Sequence, residues 1–133
     1  MRQLDAATWA AGQIHPTEIA RLAADGFTLI VNNRPDGEDP DQPAGAAIEA
    51  AAAAAGLDYR HIPVSGGING DDVLAMAEAL GGAQGKVLAF CRAGIRSTFL
   101  WALARSELGA SADEIVAGAA AAGVDLGPIR GLL

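Results

Sequence analysis

The feature that most constrains the fold is the alternation of short apolar runs with segments of helical character. The runs FTLIVNN (27–33), LDYRHIPV (57–64) and KVLAFC (86–91) are short, rich in strand-forming residues and bounded by turn formers. The segments between and after them are helical by composition, and most end on a glycine. The pattern predicts an α/β fold with a largely parallel sheet flanked by helices. Its strands are predicted at 29–32, 59–64 and 86–90.

The length of the chain sets the domain organisation. A chain of 133 residues with no shift in composition fits one domain, 1–133, that buries about two thirds of its unfolded surface. One cysteine excludes an internal disulfide, and two histidines without a pattern of carboxylates do not indicate a metal site. We therefore expect no metal and no cofactor.

The charge and the hydropathy exclude several classes of partner. Nine basic and 16 acidic residues give a net charge of −7, and the basic residues are scattered apart from Arg92 and Arg96. Nucleic acids and anionic membranes need a basic stripe, so neither is an expected partner. The beginning of the chain has no secretory signal, and no run approaches the roughly 20 apolar residues that span a bilayer. A lone free thiol suits a reducing compartment, so we expect a soluble, cytoplasmic protein.

The chemistry is predicted to lie in the segment CRAGIRST (91–98), where a strand ends and a helix begins. Ligands of parallel α/β sheets bind at the carboxyl ends of the strands, and a helix start favours negative charge. Cys91 is the candidate nucleophile, as a thiolate, and Arg96 the candidate oxyanion clamp. The predicted anion-binding loop consists of Arg92, Ala93, Gly94, Ile95, Arg96 and Ser97. The alternative is that Cys91 is a buried small hydrophobe and both arginines face water.

Three further residues are weaker candidates. Arg34 follows a strand and either adds a third guanidinium to the cleft or pairs with Asp36 or Glu38. Asp72 either serves as a displaced general acid or caps the helix that begins there. Thr98 either donates to the sulfur or caps its own helix.

Two protein families share parts of this pattern. The order of strand, Cys91, glycine-containing loop, Arg96, Ser97 and helix resembles the cysteine-dependent phosphatases, whose dual-specificity members also have an IPV-like strand. Those enzymes place five residues between the cysteine and the arginine, whereas this chain has four, and it reads SGGING (65–70) where they carry an aspartic general acid. The short loop CRAGIRS is similar to that of rhodanese-type sulfurtransferases.

The segments GQIHPTEIARLAADGFTLIVNNRPDGE (12–38) and LAFCRAGIRSTFLWAL (88–103) together resemble the beta-lactamase hydrolase-like family. The resemblance covers residues from about 12 to 126. It implies a dual-specificity-phosphatase-like fold. Members of that family carry both phosphatase and sulfurtransferase labels.

Three functions follow from these observations. The first is a sulfurtransferase in which Cys91 takes sulfane sulfur from thiosulfate or a low-molecular-weight persulfide and passes it to an external thiol acceptor. A loop one residue shorter favours sulfur over a phosphoryl group, and a sulfite leaving group needs no general acid. The second is a phosphatase that hydrolyses a phosphate ester through a Cys91 phosphoenzyme. The third is a non-catalytic module that binds anions.

Overall fold

A computed structural model describes all residues from Met1 to Leu133 and contains one five-stranded sheet. The strands are β1 (Arg2–Gln3), β2 (Thr8–Ala11), β3 (Phe27–Asn32), β4 (Asp58–His61) and β5 (Lys86–Phe90). Their order across the sheet is β1-β2-β5-β3-β4. The pairs β2/β5, β5/β3 and β3/β4 are parallel, and only the short β1 pairs antiparallel, with β2. The predicted α/β class with a mostly parallel sheet is thus confirmed.

Five α-helices connect and cover the strands. They are α1 (Ile19–Ala24), α2 (Gly45–Ala54), α3 (Gly70–Gly82), α4 (Ile95–Glu107) and α5 (Ala112–Ala121). A 3₁₀ turn at Pro16–Glu18 leads into α1, and a second one at Gly127–Leu132 ends the chain. No helix combines the length and the apolar character that crossing a membrane requires.

Two strands at the beginning of the chain were missed in the sequence. Residues 8–11 read TWAA, which is too short and too rich in alanine to stand out as an apolar run. In the structure they pair with β5, and their burial alternates because successive side chains of a strand point to opposite faces of the sheet. This strand matters for the site, since its carboxyl end meets the segment that follows β5.

Helices cover both faces of the sheet, and the alternation of side chains along β3 shows how. Leu29 and Val31 point to one face and pack with Met76 of α3 and Leu100 of α4. Ile30 points to the other face and packs in a second cluster with residues of α1 and α2, including Ile19 and Ile48. A third cluster joins α4 and α5 to Leu4 and Ala10, at the β1/β2 side of the sheet.

The central position of β5 determines where chemistry can occur. Phe90, its last residue, is fully buried, and the next residue, Cys91, donates its backbone N–H to Ala11 O of β2 at 3.2 Å. On the other side, Asn33 donates its N–H to Phe90 O at 2.8 Å. The carboxyl ends of β2, β3 and β5 therefore meet around Cys91.

Candidate active site

Cys91 lies in a tight loop between β5 and α4. Gly94 directly precedes α4 with a φ of +89°, a left-handed conformation that glycine adopts without strain. In this conformation its backbone N–H donates to the Cys91 sulfur at 3.1 Å. A Cβ at Gly94 would lie 3.4 Å from Ala11 O, an ordinary contact distance, so the left-handed backbone angle is what favours glycine here.

The surroundings of the sulfur favour its ionised form. Cys91 is only 1% exposed, and burial by itself raises the pKa of its thiol. Hydrogen bonds from the backbone N–H and hydroxyl of Ser97 and from the N–H groups of Ala93 and Gly94 outweigh that effect, and the pKa lies below its ordinary value. The start of α4, a helix of 13 residues, adds its positive end. The surroundings of Cys91 thus favour a thiolate, which is the nucleophilic form of a cysteine.

Arg96, in the first turn of α4, is held in a fixed orientation. Its Nη1 donates to Glu38 Oε2 at 2.8 Å and to the backbone carbonyl of Val64 at 2.9 Å, while its Nη2 donates to Glu38 Oε1 at 2.9 Å. Both hydrogens of Nη1 are thereby used, which leaves the edge formed by Nε and the second Nη2 hydrogen. Glu38 raises the pKa of Arg96, and the negative charge and hydrogen bonding of nearby Cys91 contribute in the same direction.

Arg34 stands behind this pair. It is 3% exposed, and its Nε donates to Glu38 Oε1 at 2.9 Å, so Glu38 lies between two guanidinium groups. The hydrogen bond from Arg96, aided by Arg34, lowers the pKa of Glu38 to about 2. Arg34 also donates to Gln13 Oε1 at 2.9 Å and to Asp39 Oδ2 at 2.8 Å. The pairing with Glu38 that the sequence offered as an alternative is therefore present, and Arg34 supports the site from behind.

The remaining candidates have other contacts. The guanidinium of Arg92 is 66% exposed and lies 3.4 Å from Asp39. Asp72 forms a capping box with Asn69 at the start of α3, so the capping alternative describes it. Thr98 donates its hydroxyl to Gly94 O at 2.8 Å and not to the sulfur. Ile95, also in the predicted loop, is 42% exposed.

Sequence reasoning missed three contributors to the site. Glu38 was considered only as a partner of Arg34, because nothing in the sequence shows that the loop after β3 reaches Arg96. Asn33 is fully buried and accepts the Ser97 hydroxyl at 2.8 Å. Gly12 follows β2, and a Cβ there would lie 3.0 Å from Arg92 O. The pair of polar residues Asn32 and Asn33 at the end of an apolar strand was the sequence feature that could have indicated the role of Asn33.

The sequence of the chain matches the family model for the beta-lactamase hydrolase-like protein, phosphatase-like domain, over residues 1–110. The chain belongs to this family. A beta-lactamase hydrolase-like protein of Agrobacterium fabrum is 44% identical over 94 residues, which are 70% of this chain and 22% of that protein. The chain therefore spans less than a quarter of the length of this curated relative.

Solved structures agree with the family. A Neisseria meningitidis protein, provisionally named a phosphatase, is 35% identical, with a TM-score of 0.82 over 98% of this chain and 93% of that chain. A kinase associated phosphatase with serine in place of its catalytic-site cysteine is 15% identical. Its TM-score is 0.73 over 92% of this chain and 79% of that chain, which shows a shared fold. The resemblance inferred from the two sequence segments is confirmed.

The comparisons change the order of the predicted functions. The family model and the Neisseria meningitidis structure support the phosphatase, predicted above as the second function, and they give no support to the sulfurtransferase predicted as the first. The short loop and its similarity to rhodanese favoured sulfur transfer in the sequence, but the fold and the family are phosphatase-like. That the shorter loop favours sulfur over a phosphoryl group stays a prediction.

The hydrogen bonds to the sulfur predict an acidic thiol. Cys91 should react with iodoacetamide at pH 6 to 7 much faster than the same chain unfolded in urea, because the folded protein stabilises the thiolate. The pH dependence of the alkylation rate, followed by intact mass, measures this. A midpoint at or above the free-thiol value of about 8.5 would contradict the arrangement described here.

The low pKa of Glu38 predicts a pH-dependent contribution to stability. A carboxyl whose pKa is about 2 when folded stabilises the protein above its unfolded pKa, and this stabilisation fades as the pH falls toward 2. Glu38→Gln should therefore lower the free energy of unfolding more at pH 6 than at pH 3.5, as measured by urea unfolding. Asp41→Asn, on the same loop, is the control, and an equal loss at both pH values for Glu38→Gln would refute the assignment.

Proposed function

We propose that this domain is a cysteine-dependent phosphatase that acts on small phosphate esters, with Cys91 as nucleophile and Arg96 as oxyanion binder. The observation that carries the proposal is the geometry around the sulfur. Loop N–H groups and the start of α4 stabilise a thiolate, and the Glu38 and Val64 contacts leave the Nε edge of Arg96 for an oxyanion. The match to a phosphatase-like family supports it.

The proposed reaction has two steps. The Cys91 thiolate attacks phosphorus, an S–P bond forms, and the P–O bond to the leaving group breaks with its electron pair on that oxygen. Water then attacks the phosphocysteine, the S–P bond breaks, the thiolate returns, and inorganic phosphate and a proton leave. The free edge of Arg96 and the N–H groups of the loop neutralise charge on the phosphoryl oxygens in both steps.

The carboxylates near the site determine which substrates react well. Glu38 is held ionised by two guanidinium groups, Asp39 pairs with Arg34 and Arg92, and Asp72 caps α3. None of these contacts presents a protonated carboxyl to a departing oxygen. General acid help is typically worth about 100- to 10,000-fold. We therefore propose that the substrates have weakly basic leaving groups, as aryl phosphates do.

Turnover of p-nitrophenyl phosphate tests the proposal. The wild-type protein should release p-nitrophenol catalytically and show a phosphorylated Cys91 by intact mass after an acid quench. Cys91→Ser should abolish turnover. Arg96→Lys should reduce it by about 100-fold or more, because lysine keeps the charge but loses the two-pronged donor. Arg105→Lys, on the far part of α4 and paired with Asp5, is the matched control and should leave turnover unchanged.

Two other results would replace the phosphatase. If thiosulfate added one sulfur atom to the mass of Cys91, thiol removed it, and no aryl phosphate turned over, the sulfurtransferase would stand instead. If sulfate or phosphate bound with dependence on Arg96 but neither chemistry occurred, the domain would be an anion-binding module.

The lack of a protonated carboxyl at the site predicts a steep dependence on the leaving group. Across a series of aryl phosphates, kcat/KM should rise strongly as the pKa of the phenol falls, because no enzyme group protonates the departing oxygen. Asp72→Asn should change neither the slope nor the rate, since this residue caps α3. A shallow slope, or a loss of 100-fold or more in Asp72→Asn, would identify a general acid and contradict this mechanism.

A further inference from the structure

Asn33 is a buried polar residue with a fixed side-chain orientation. It follows β3 directly and is fully buried. Its Nδ2 donates to Ile62 O at 2.9 Å, and its Oδ1 accepts a hydrogen bond from the Ser97 hydroxyl at 2.8 Å. Because a carbonyl oxygen can only accept, the contact with Ile62 identifies the nitrogen of the Asn33 amide. Because an amide oxygen cannot donate, the Ser97 proton must point at Asn33 for this contact to be a hydrogen bond.

In the structure this hydroxyl donates to Asn33, and it is also one of the groups whose hydrogen bonding lowers the pKa of the Cys91 thiol. A serine hydroxyl has one proton, so it cannot donate to Asn33 Oδ1 and to a thiolate at the same time. Ser97 and Asn33 are both fully buried, so water does not easily replace either bond. The two acceptors therefore compete for one proton.

We propose that Asn33 is a positioning residue that accepts the Ser97 hydroxyl proton while Cys91 is uncharged and yields it when the sulfur carries negative charge. The proton stays on the serine oxygen throughout, and only the O–H bond rotates. In the thiol state, the S–H can donate to Ser97 Oγ while the hydroxyl donates to Asn33. In the thiolate state, the hydroxyl turns to the sulfur and leaves Asn33 Oδ1 without its partner.

The charged groups around the sulfur are fixed by other contacts. Arg96 lies in the first turn of α4 and is hydrogen-bonded to Glu38, which Arg34 also contacts. Cys91 is among the groups that raise the pKa of Arg96. Arg92 is exposed and faces Asp39. Asn33 has no hydrogen bond to any of these side chains, and its hydrogen-bond partners are Ile62 and Ser97 together with the backbone of Phe90 and Val64. Its effect on Cys91 therefore passes through Ser97.

This arrangement has a catalytic meaning that rests on the proposed phosphatase function. A phosphocysteine carries no charge on sulfur, so the hydroxyl would return to Asn33. It would turn to the sulfur again as the S–P bond breaks and negative charge develops there. Asn33 thus gives the Ser97 hydroxyl a defined resting partner between the two steps.

The ionisation of Cys91 tests the inference without any substrate. Asn33→Leu removes the competing acceptor at similar volume. It should lower the midpoint of Cys91 alkylation and raise the thiolate-to-thiol ratio by about three- to tenfold at a given pH. Ser97→Ala should raise the midpoint, and in that background Asn33→Leu should have no further effect. A midpoint that is raised or unchanged in Asn33→Leu, or lowered equally in both backgrounds, would overturn the proposal.

Asn32→Leu is the matched control. Asn32 is the preceding buried asparagine, but its side chain contacts Tyr59 and the backbone of Arg34 instead of Ser97. It should leave the midpoint of Cys91 alkylation where it is. A shift equal to that of Asn33→Leu would show a general effect of losing a buried amide and would overturn the role of Ser97.

A measurement with Asn33 intact covers the case in which Asn33→Leu does not fold. In the unsubstituted protein, the side-chain ¹³Cγ resonance of Asn33 should titrate with the alkylation midpoint of Cys91, because the accepted hydrogen bond is lost on ionisation. In Ser97→Ala the amplitude of that titration should collapse. An undiminished amplitude would show that the charge on Cys91 acts on Asn33 directly and not through Ser97, which would refute the proposal.

The inference and the proposed function can fail separately. If the midpoints of Cys91 alkylation shift as expected in a protein that hydrolyses no phosphate ester, the role of Asn33 would be supported and the phosphatase function refuted. Turnover that depends on Cys91 and Arg96, with no coupling between Asn33 and Ser97, would do the reverse.

Discussion

A negatively charged sulfur inside a protein must be hydrogen-bonded, and this requirement organises the carboxyl edge of the sheet. Cys91 follows the central strand directly, so burial opposes its ionisation and the surrounding donors must outweigh that cost. The donors come from Ala93, Gly94 and Ser97. They converge because Gly94 turns the chain through a left-handed conformation into α4. A side chain at Gly94 would impose a strained backbone angle.

A second layer of contacts fixes the groups that face the sulfur. Glu38 holds one edge of Arg96, and Arg34 holds Glu38 from the protein interior. A single ion pair on an open surface would contribute little, but a carboxylate between two guanidinium groups, one of them buried, is ordered and stays ionised. The acidic loop after β3 thus has a defined task in a chain of net charge −7, because two of its carboxylates neutralise and aim arginines. The same contacts commit these carboxylates to structure instead of proton transfer.

Membership in a phosphatase-like family and the short loop between Cys91 and Arg96 have to be reconciled. The loop has a strand end, a glycine turn and a helix start with its arginine, the features to which we assign thiolate stabilisation and oxyanion binding in the proposed function. It has one fewer backbone N–H for the oxyanion than the five-residue spacing would supply. We propose that Arg96, oriented by Glu38, supplies part of the stabilisation that a longer loop would provide through its backbone, which places more of the catalytic demand on one side chain.

The α/β class, three of the five strands and the position of Cys91 at a strand end could be predicted from the sequence, although the strand predicted at 59–64 ends at His61. The roles of Gly94 and Arg96 were proposed from the sequence as well. These follow from local chemistry: the period of apolar residues, glycines at helix ends, and a strand–loop–helix order that places an N-terminus beside the thiol. The sequence did not determine β2, whose four residues are recognisable only from the partner strand, nor the contact of Glu38 with Arg96, which are 58 positions apart. The Asn33–Ser97 bond joins residues 64 positions apart, and it exists because β3 and β5 pair in parallel. Contacts of this kind depend on strand order and register, which no local pattern encodes. The orientation of Arg96 and the pairing of Ser97 with Asn33 are therefore visible only in the folded protein.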